Sequence, residues 1–168
     1  STPIKSSAAS DVYKRQVTHV TLYMQLQNMR YNNCAEFIAD VPPELDHFSI
    51  PRLTFQPIVE NAIYHGIEQM AEDTNIYIKG RVEGNDCVIE ITDAGRGMTE
   101  EEMAQLRQKI AGELDSSGGS GNGIGLKNVQ DRIQIAFGGA YGIEVASQIG
   151  CYTKIIVRIP MKHRGEAE

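Results

Sequence analysis

The segment 54–66, TFQPIVENAIYHG, combines an apolar stripe of helical period with polar side chains that suit metal and phosphate chemistry. At 100° per residue, one side of the helix carries Phe55, Val59, Ala62, Ile63 and Gly66. Asn61 and His65 lie away from this stripe, with Glu60 beside them. An asparagine next to a carboxylate suits Mg²⁺, which keeps most of its waters when a protein binds it. The alternative is an ordinary amphipathic helix whose polar groups are solvated.

Pro57 constrains where this helix begins, because proline has no amide hydrogen and does not fit a helix interior. With Thr54 as the N-cap, Pro57 falls at the third helical position, where no intrahelical donor is needed. A start near Pro51, with a kink at Pro57, is the alternative.

Two segments of alternating hydrophobicity predict a β-hairpin after this helix, with strands at 75–82 and 87–93 and a turn at 83–86. The residues expected to share its buried face are Ile76, Ile78, Val82, Cys87, Ile89, Ile91 and Asp93. The carboxylate of Asp93 therefore faces the core, where it needs a donor because an unpaired buried charge is costly.

Two explanations account for an inward carboxylate at Asp93. In the structural one, it forms a salt bridge or an Asx turn with the amides that follow. In the functional one, it accepts a hydrogen bond from a ligand amino group, such as N6 of adenine. Gly95 and Gly97 favour the second explanation, because glycines let the backbone approach a flat ligand closely.

A glycine-rich loop, GNGIGL at 121–126, runs directly into a helix. The apolar residues that mark this helix are Leu126, Val129, Ile133 and Phe137. A helix N-terminus with free amides is an anion site, and the preceding segment 112–121 is either a linker or a lid. Lys127, Asn128 and Arg132 either assist in binding the anion or are ordinary surface residues.

The other predicted helices and strands surround these candidate site residues. Thr99 begins a capping box that predicts a short helix, and 34–41 is a candidate strand. A closing hairpin is predicted from strands at 141–147 and 152–160. Thr153 lies on the inward face of its strand, where its hydroxyl bonds either to the backbone or to a ligand.

Composition limits the classes of function. The chain has 168 residues, enough for one domain with a sizeable core, and 41% of them are hydrophobic. A net charge of −6 argues against binding nucleic acid, which needs a basic face. Cys34, Cys87 and Cys151 include no CxxC pair, so neither a disulfide framework nor a zinc site is expected. No segment has the length and hydrophobicity of a membrane span.

The N-terminal residues divide into two parts. Residues 1–16 include SSAASDVYKRQ, which looks like a translated adapter or cloning scar, so they are excluded from the fold prediction. Residues 17–31 predict a helix with two apolar sides. The sides are Val17, Val20 and Met24 against Leu22, Leu26 and Met29. Such a helix is buried, or bridges to a segment outside this chain.

Four segments, in their order along the chain, resemble the nucleotide-binding motifs of the Bergerat-fold ATP-binding domain, which histidine kinases, gyrase, Hsp90 and MutL share. They are VENAIYHG, DAGRGM, GNGIGL and the threonine of GCYT. Three longer segments are similar to the corresponding segments of LytS-type sensor histidine kinases. They are YMQLQNMRY, IPRLTFQPIVENAIYHG and GIGLKNVQDRI. The resemblance covers about residues 22–160. It implies an α+β fold, a two-layer sandwich of a mixed, mostly antiparallel sheet with helices on one face.

The resemblance also implies ATP and Mg²⁺ as ligands. It makes Asn61 the Mg²⁺ ligand, Asp93 the acid that reads adenine, and Glu60 the carboxylate that orients or deprotonates the nucleophile. His65 would flank the phosphates or ribose. The other implied nucleotide contacts are Gly95, Gly97, Met98, Gly121, Gly123, Ile124, Gly125, Leu126, Lys127, Asn128 and Thr153.

Two residues depart from the family pattern: Ala94 replaces an asparagine, and Tyr152 replaces a glycine, so the shape of the adenine pocket is expected to differ. No histidine lies in the family's acceptor motif. The acceptor is therefore expected on a separate dimerisation domain, in a homodimeric kinase that signals to a response regulator. This fragment is expected in the cytoplasm, whether or not the full-length protein is anchored in the membrane. The expected divisions are a non-native or disordered leader at 1–16, a linker helix at 17–31, the ATP-binding domain at 32–162 and a tail at 163–168. A stand-alone ATPase, a serine-directed anti-sigma kinase and a non-catalytic nucleotide sensor remain alternatives.

Overall fold

A computed structural model describes residues 10–30, 35–40, 42–45, 48–51, 54–63, 74–113 and 124–161. In chain order, its elements are β1 (Ser10–Val12), α1 (Tyr13–Arg30), β2 (Ala35–Asp40), a 3₁₀ turn (Pro43–Leu45), β3 (Ser49–Pro51), α2 (Phe55–Ala62), β4 (Thr74–Glu83), β5 (Asp86–Asp93), α3 (Glu100–Ile110), α4 (Ile124–Phe137), β6 (Gly142–Gln148) and β7 (Tyr152–Pro160).

Five of the described strands form one sheet in the order β2-β4-β5-β7-β6, and β1 pairs with β3 separately. β2 runs parallel to β4, while the other three pairings are antiparallel. The predicted hairpins are both present, because short turns join β4 to β5 and β6 to β7. The prediction of a mixed, mostly antiparallel sheet is confirmed.

One face of the sheet is covered by the helices and forms the core. Its buried strand residues include Ile76, Ile78, Ile89, Ile91, Ile155 and Val157. The helices contribute Val59, Leu106, Leu126 and Ile133 to the same cluster. Val82 is the exception to the predicted buried face: it is 40% exposed and lies near the turn that joins β4 to β5. Alternation therefore predicts the facing of the hairpin, but not how far along it the covering elements extend.

Within the described segments, the opposite face of the sheet carries ion pairs rather than a second layer. Arg81 and Lys154 both contact Glu90, and Arg158 contacts Glu83 and Asp86. These side chains are partly exposed, so each pair contributes little to stability. Their arrangement agrees with a sheet that has helices on one face only.

The start of α2 agrees in position with the Thr54 N-cap prediction, and Pro57 is the third helical residue. The capping group differs from the prediction. The Thr54 hydroxyl donates to the Pro51 carbonyl at 2.6 Å, while Gln16 Oε1 accepts from the amides of Thr54 at 3.1 Å and Phe55 at 3.4 Å. A glutamine distant in sequence therefore satisfies helix donors that a local hydroxyl was expected to satisfy.

Residues 10–16, which were excluded from the fold prediction, pack against the rest of the chain. β1 pairs with β3, Tyr13 is fully buried and Gln16 is 5% exposed. The helix predicted at 17–31 accordingly begins earlier, at Tyr13. Local composition gave no signal for this packing, because both side chains are held by residues far along the chain.

Candidate functional site

Ser147, Thr153 and Asp93 form a polar row across three neighbouring strands. Thr153 on β7 is opposite Ser147 on β6 and opposite Asp93 on β5. Residues that are opposite one another in adjacent strands point to the same face of a sheet. The prediction that Asp93 and Thr153 share the core face is therefore confirmed, with side chains 3% and 8% exposed.

The Asp93 carboxylate has one hydrogen bond and retains acceptor capacity. Its Oδ1 accepts from the Gly95 amide at 3.0 Å, which is the Asx turn expected in the structural explanation. Within the described part of the chain, no other donor and no cation contacts this carboxylate. Burial raises the pKa of Asp93 from 3.8 to about 6, against the opposing effect of the Gly95 hydrogen bond. At pH 7 the group is mostly ionised and can accept a further hydrogen bond.

Ser147 connects the row to the loop after β5. Its Oγ donates to the Tyr152 carbonyl at 2.6 Å and accepts from the Met98 amide at 2.8 Å. The hydroxyls of Ser147 and Thr153 are 3.0 Å apart. Sequence reasoning missed Ser147, although its place in the inward alternation of Ile143 and Val145 was an available signal.

Gly97 is fixed where this loop meets the turn between β6 and β7. Its φ is +71°, a conformation that favours glycine, and a Cβ added there would overlap the Gln148 carbonyl. The Gly150 amide also donates to the Arg96 carbonyl at 2.6 Å. Gly97 therefore lets the loop pack against the hairpin that carries Ser147 and Thr153.

A cavity of about 140 Å³ lies between α2, this loop and α3. Its lining consists of Asn61, Arg96, Met98, Glu102, Gln105, Leu106 and Lys109. Arg96 donates to both carboxylate oxygens of Glu102, at 3.1 and 2.9 Å, along this wall. Asn61 is half-buried, and its side chain has no hydrogen-bond partner among the described residues. Two residues predicted separately, Asn61 and Met98, are thus brought to one cavity.

Glu60 does not line this cavity. It is exposed, and its Oε1 accepts a hydrogen bond from Gln56 Nε2 at 3.1 Å, one turn earlier in α2. Asn61 and its neighbouring carboxylate therefore differ in placement, as adjacent helical residues do.

The structure describes the last three residues of the glycine-rich loop GNGIGL, which lie at the N-terminus of α4. Ile124, Gly125 and Leu126 form its first turn, and a Cβ at Gly125 would lie 3.2 Å from Pro57 Cβ. Gly125 thus allows the start of α4 to approach α2 closely. Lys127 donates to Asp131 at 2.6 Å, and Asn128 is exposed.

Three predicted site residues, His65, Gly121 and Gly123, lie outside the described residues, as does most of the predicted linker or lid at 112–121. A second cavity, of about 320 Å³, lies among α3, α4 and β6, and none of the predicted site residues lines it. None of the helices in the described segments has the length and hydrophobicity needed to cross a bilayer.

Residues 50–163 match the family model described as histidine kinase-, DNA gyrase B-, and HSP90-like ATPase. The chain belongs to this ATPase family. The match includes α2, β5, α4 and β7, the elements that carry the predicted site residues.

Several of the relatives have the names of sensor proteins or sensor kinases. The chain is 32% identical over 147 residues to Sensor histidine kinase BtsS of Escherichia coli K12, covering 88% of this chain and 23% of that protein. It is 33% identical over 141 residues to Sensor histidine kinase YesM of Bacillus subtilis, covering 84% and 22%. It is 23% identical over 151 residues to Sensor protein LytS of Streptococcus agalactiae, covering 90% and 25%. The chain thus spans about a quarter of the length of these relatives.

Solved structures agree on the fold. The nucleotide-free catalytic domain of histidine kinase ThkA matches with a TM-score of 0.62 and 15% identity, covering 90% of this chain and 94% of that one. The histidine kinase domain of a blue-light-activated kinase from Erythrobacter litoralis matches with a TM-score of 0.61 and 16% identity, covering 91% and 68%. The chain therefore has the α+β architecture of histidine kinase catalytic domains, as predicted.

Proposed function

We propose that this chain is the catalytic domain of a sensor histidine kinase, which holds ATP and transfers its γ-phosphoryl group to a histidine on a separate helical domain. The observation that carries the proposal is the buried Asp93 carboxylate, which keeps an acceptor free beside Gly95 and Gly97 in a member of an ATPase family. A carboxylate that served only to stabilise the fold would be expected to have a cation or a full set of donors.

The base of the nucleotide is proposed to lie on the Asp93–Thr153 face. Asp93 accepts a hydrogen bond from the adenine amino group, and Thr153 lies beside it. Gly95, Gly97 and Met98 form the adjoining loop, which is anchored to β6 through the Met98 amide. A ligand donor would supply the hydrogen bond that the buried carboxylate lacks, and so recover part of its desolvation cost.

The phosphates and Mg²⁺ are proposed to lie at the α2–α4 end of the site. The Asn61 amide fits a metal ligand, because it is half-buried at the cavity and has no partner within the described residues. The amides of Ile124, Gly125 and Leu126 at the start of α4 suit anionic oxygens. The other proposed phosphate contacts are Gly121, Gly123, Lys127, Asn128 and His65. Bound Mg²⁺ would neutralise phosphate charge during transfer.

Catalysis on this proposal consists of positioning and charge neutralisation. An imidazole nitrogen of the acceptor attacks the γ-phosphorus as the bond to the β,γ-bridging oxygen breaks. A phosphohistidine forms, ADP leaves, and the proton on the other nitrogen of the attacking imidazole passes to solvent or to a base. Glu60 is the proposed base or orienting group, since it is exposed at the end of α2 where an incoming domain can reach it.

The incoming domain is proposed to dock on the outer side of α1. There Leu22, Leu26 and Met29 are 54%, 64% and 81% exposed, while Val20 and Met24 on the inner side are buried. The acceptor would belong to a part of the protein outside this chain, because the longer relatives extend well beyond the matched region. The proposed setting is a cytoplasmic, homodimeric kinase whose phosphohistidine supplies a response regulator.

The test supplies the acceptor separately. The chain is incubated with γ-labelled ATP, alone and with a polypeptide that carries the upstream helical segment of the full-length protein. The expected result is an unlabelled chain and a labelled segment whose phosphate is acid-labile and base-stable. Acid-stable labelling of serine or threonine would favour an anti-sigma kinase. ATP hydrolysis without phosphoryl transfer would favour a stand-alone ATPase. Nucleotide binding without hydrolysis or transfer would favour a sensor module.

The docking face has its own matched pair of variants. Leu26→Ser should slow transfer to the separate segment and leave ATP affinity unchanged. Ile135→Ser is the control, since Ile135 is 87% exposed on α4. Equal transfer rates for the two variants would place the docking surface elsewhere.

A further inference from the structure

The Ser147 hydroxyl has three polar neighbours and one hydrogen, which determines the direction of each bond. The Tyr152 carbonyl, at 2.6 Å, can only accept, so it takes the serine hydrogen. The Met98 amide, at 2.8 Å, can only donate, so it occupies one lone pair of Ser147 Oγ. The remaining neighbour is Thr153 Oγ1, at 3.0 Å.

These assignments leave one arrangement for the pair of hydroxyls. Ser147 has no hydrogen left to donate to Thr153, and two oxygens 3.0 Å apart without a hydrogen between them would repel each other. The Thr153 hydroxyl therefore donates to Ser147. This completes the hydrogen-bonding capacity of Ser147, since a hydroxyl donates once and accepts at most twice.

The direction of this bond determines what Thr153 can offer on the Asp93 side. With its hydrogen committed to Ser147, Thr153 Oγ1 has only lone pairs available. Asp93 also offers only acceptor oxygen when it is ionised. Although Thr153 is directly opposite Asp93, neither side chain donates to the other. The carboxylate is thus kept free of a neighbouring donor that would compete with a ligand.

We propose that Ser147 is a positioning residue for nucleotide specificity: it holds Thr153 as an acceptor, so that Thr153 and Asp93 together select a purine with a 6-amino group over one with a 6-oxo group. This inference rests on the proposed function, in which the base lies on the Asp93–Thr153 face. A 6-amino group presents two N–H donors to the two acceptors, whereas a 6-oxo group would bring a third acceptor to them.

Inosine triphosphate tests this, because it differs from ATP by the 6-oxo group and the associated ring proton. Calorimetry with the folded chain gives the ratio of the two dissociation constants, with ATP expected to bind more tightly. Ser147→Ala frees the Thr153 hydrogen to turn toward Asp93 or the ligand. The preference for ATP over inosine triphosphate should then fall about 3- to 10-fold.

The ratio separates specificity from simple damage to the fold. Ser147→Ala also removes the partners of Met98 and Tyr152, but that loss should weaken both nucleotides alike. Thr153→Val should reduce the preference as Ser147→Ala does, and the double variant should reduce it no further than Thr153→Val alone. Thr153→Ser keeps the hydroxyl and should keep the preference. Thr92→Val is the control, because Thr92 points to the opposite face of β5, one residue before Asp93.

The outcomes distinguish this inference from the proposed function. Failure of the folded wild-type chain to bind either nucleotide would contradict the proposed function. Tight ATP binding with an unchanged ratio in Ser147→Ala would overturn only the role of Ser147, as would equal affinity of the wild type for both nucleotides. If Ser147→Ala does not fold, the variants Thr153→Val and Thr153→Ser decide. A preference for ATP over inosine triphosphate that is unchanged in Thr153→Val overturns the inference.

Discussion

Asp93 and Thr153 are directly opposite each other in adjacent antiparallel strands, both buried, with no hydrogen bond between their side chains. Two polar groups in such a position would ordinarily satisfy each other. Each is instead bonded to a different neighbour, Asp93 to the Gly95 amide and Thr153 to Ser147. The pair thus has acceptor capacity that the fold does not use, which is the property expected of a binding surface.

Asp93→Asn should weaken ATP binding. The amide loses the charge-assisted hydrogen bond and can present its NH₂ group to the adenine amino group, so a loss of about 1.5–3 kcal/mol in binding free energy is expected. Calorimetry with ATP on the folded variant measures this. Asp40→Asn, which changes an exposed aspartate of β2, is the control. Wild-type affinity in Asp93→Asn would leave Asp93 with the role of an Asx turn alone.

The same carboxylate should make the stability of the ligand-free chain depend on pH. Burial raises the pKa of Asp93 from 3.8 to about 6, so the folded state holds this proton more tightly than the unfolded state. The contribution of Asp93 to the free energy of unfolding is therefore full below pH 4 and is lost as the pH rises through about 6. The expected loss is about 3 kcal/mol.

Urea unfolding at several pH values, in wild type and Asp93→Asn, checks this dependence. The variant should lack the decline between pH 4 and 6 and be the more stable protein at pH 8, although it binds ATP less well. Parallel curves for the two proteins would mean that Asp93 does not titrate with a raised pKa.

Alternation predicted much of the site, because residues two apart in a strand share a face whatever the fold around them. Asp93 and Thr153 were placed inward on that basis, and pairing of β5 with β7 puts them side by side. Ser147 was missed because a serine before a glycine-containing turn is expected from turn chemistry alone. Its role depends on Met98, which is distant in sequence and approaches only in the folded chain.

The N-cap of α2 also depends on a contact between residues that are distant in the sequence. Thr54 has the composition and position of an N-cap, yet its hydroxyl donates to Pro51 while Gln16 accepts from the helix amides. The exposure of Val82 and the ion pair of Arg96 with Glu102 likewise follow from tertiary placement. Patterns in the sequence describe which way a residue faces, but they do not describe which distant group it meets.

Gly97→Ala should destabilise the chain strongly. The residue has φ +71°, and the added methyl group would overlap the Gln148 carbonyl, so the cost combines left-handed strain with a backbone clash. About 3–5 kcal/mol is expected. Gly84→Ala is a matched control: its φ is +61°, but the space around it is open, so only about 1–2 kcal/mol is expected. Equal losses in urea unfolding would mean that the loop moves away from the hairpin without cost.

Asn61→Ala should remove the effect of Mg²⁺ on ATP affinity while changing stability by less than about 0.5 kcal/mol, because the side chain has no hydrogen-bond partner among the described residues. Calorimetry with ATP in Mg²⁺ and in EDTA measures the effect. Gln56→Ala, earlier in the same helix, should keep the wild-type response. A response retained in Asn61→Ala would assign the metal to another ligand.

The pairing of β5 with β7 has a consequence for how the chain folds. The two hairpins, β4–β5 and β6–β7, join neighbours in sequence, but the contact of Asp93 with Thr153 closes a long loop between them. Such contacts form late, after the entropy of loop closure has been overcome. The base-binding face is therefore absent from a chain in which only the hairpins have formed. A nucleotide that needs this face should slow unfolding and leave the rate of folding nearly unchanged.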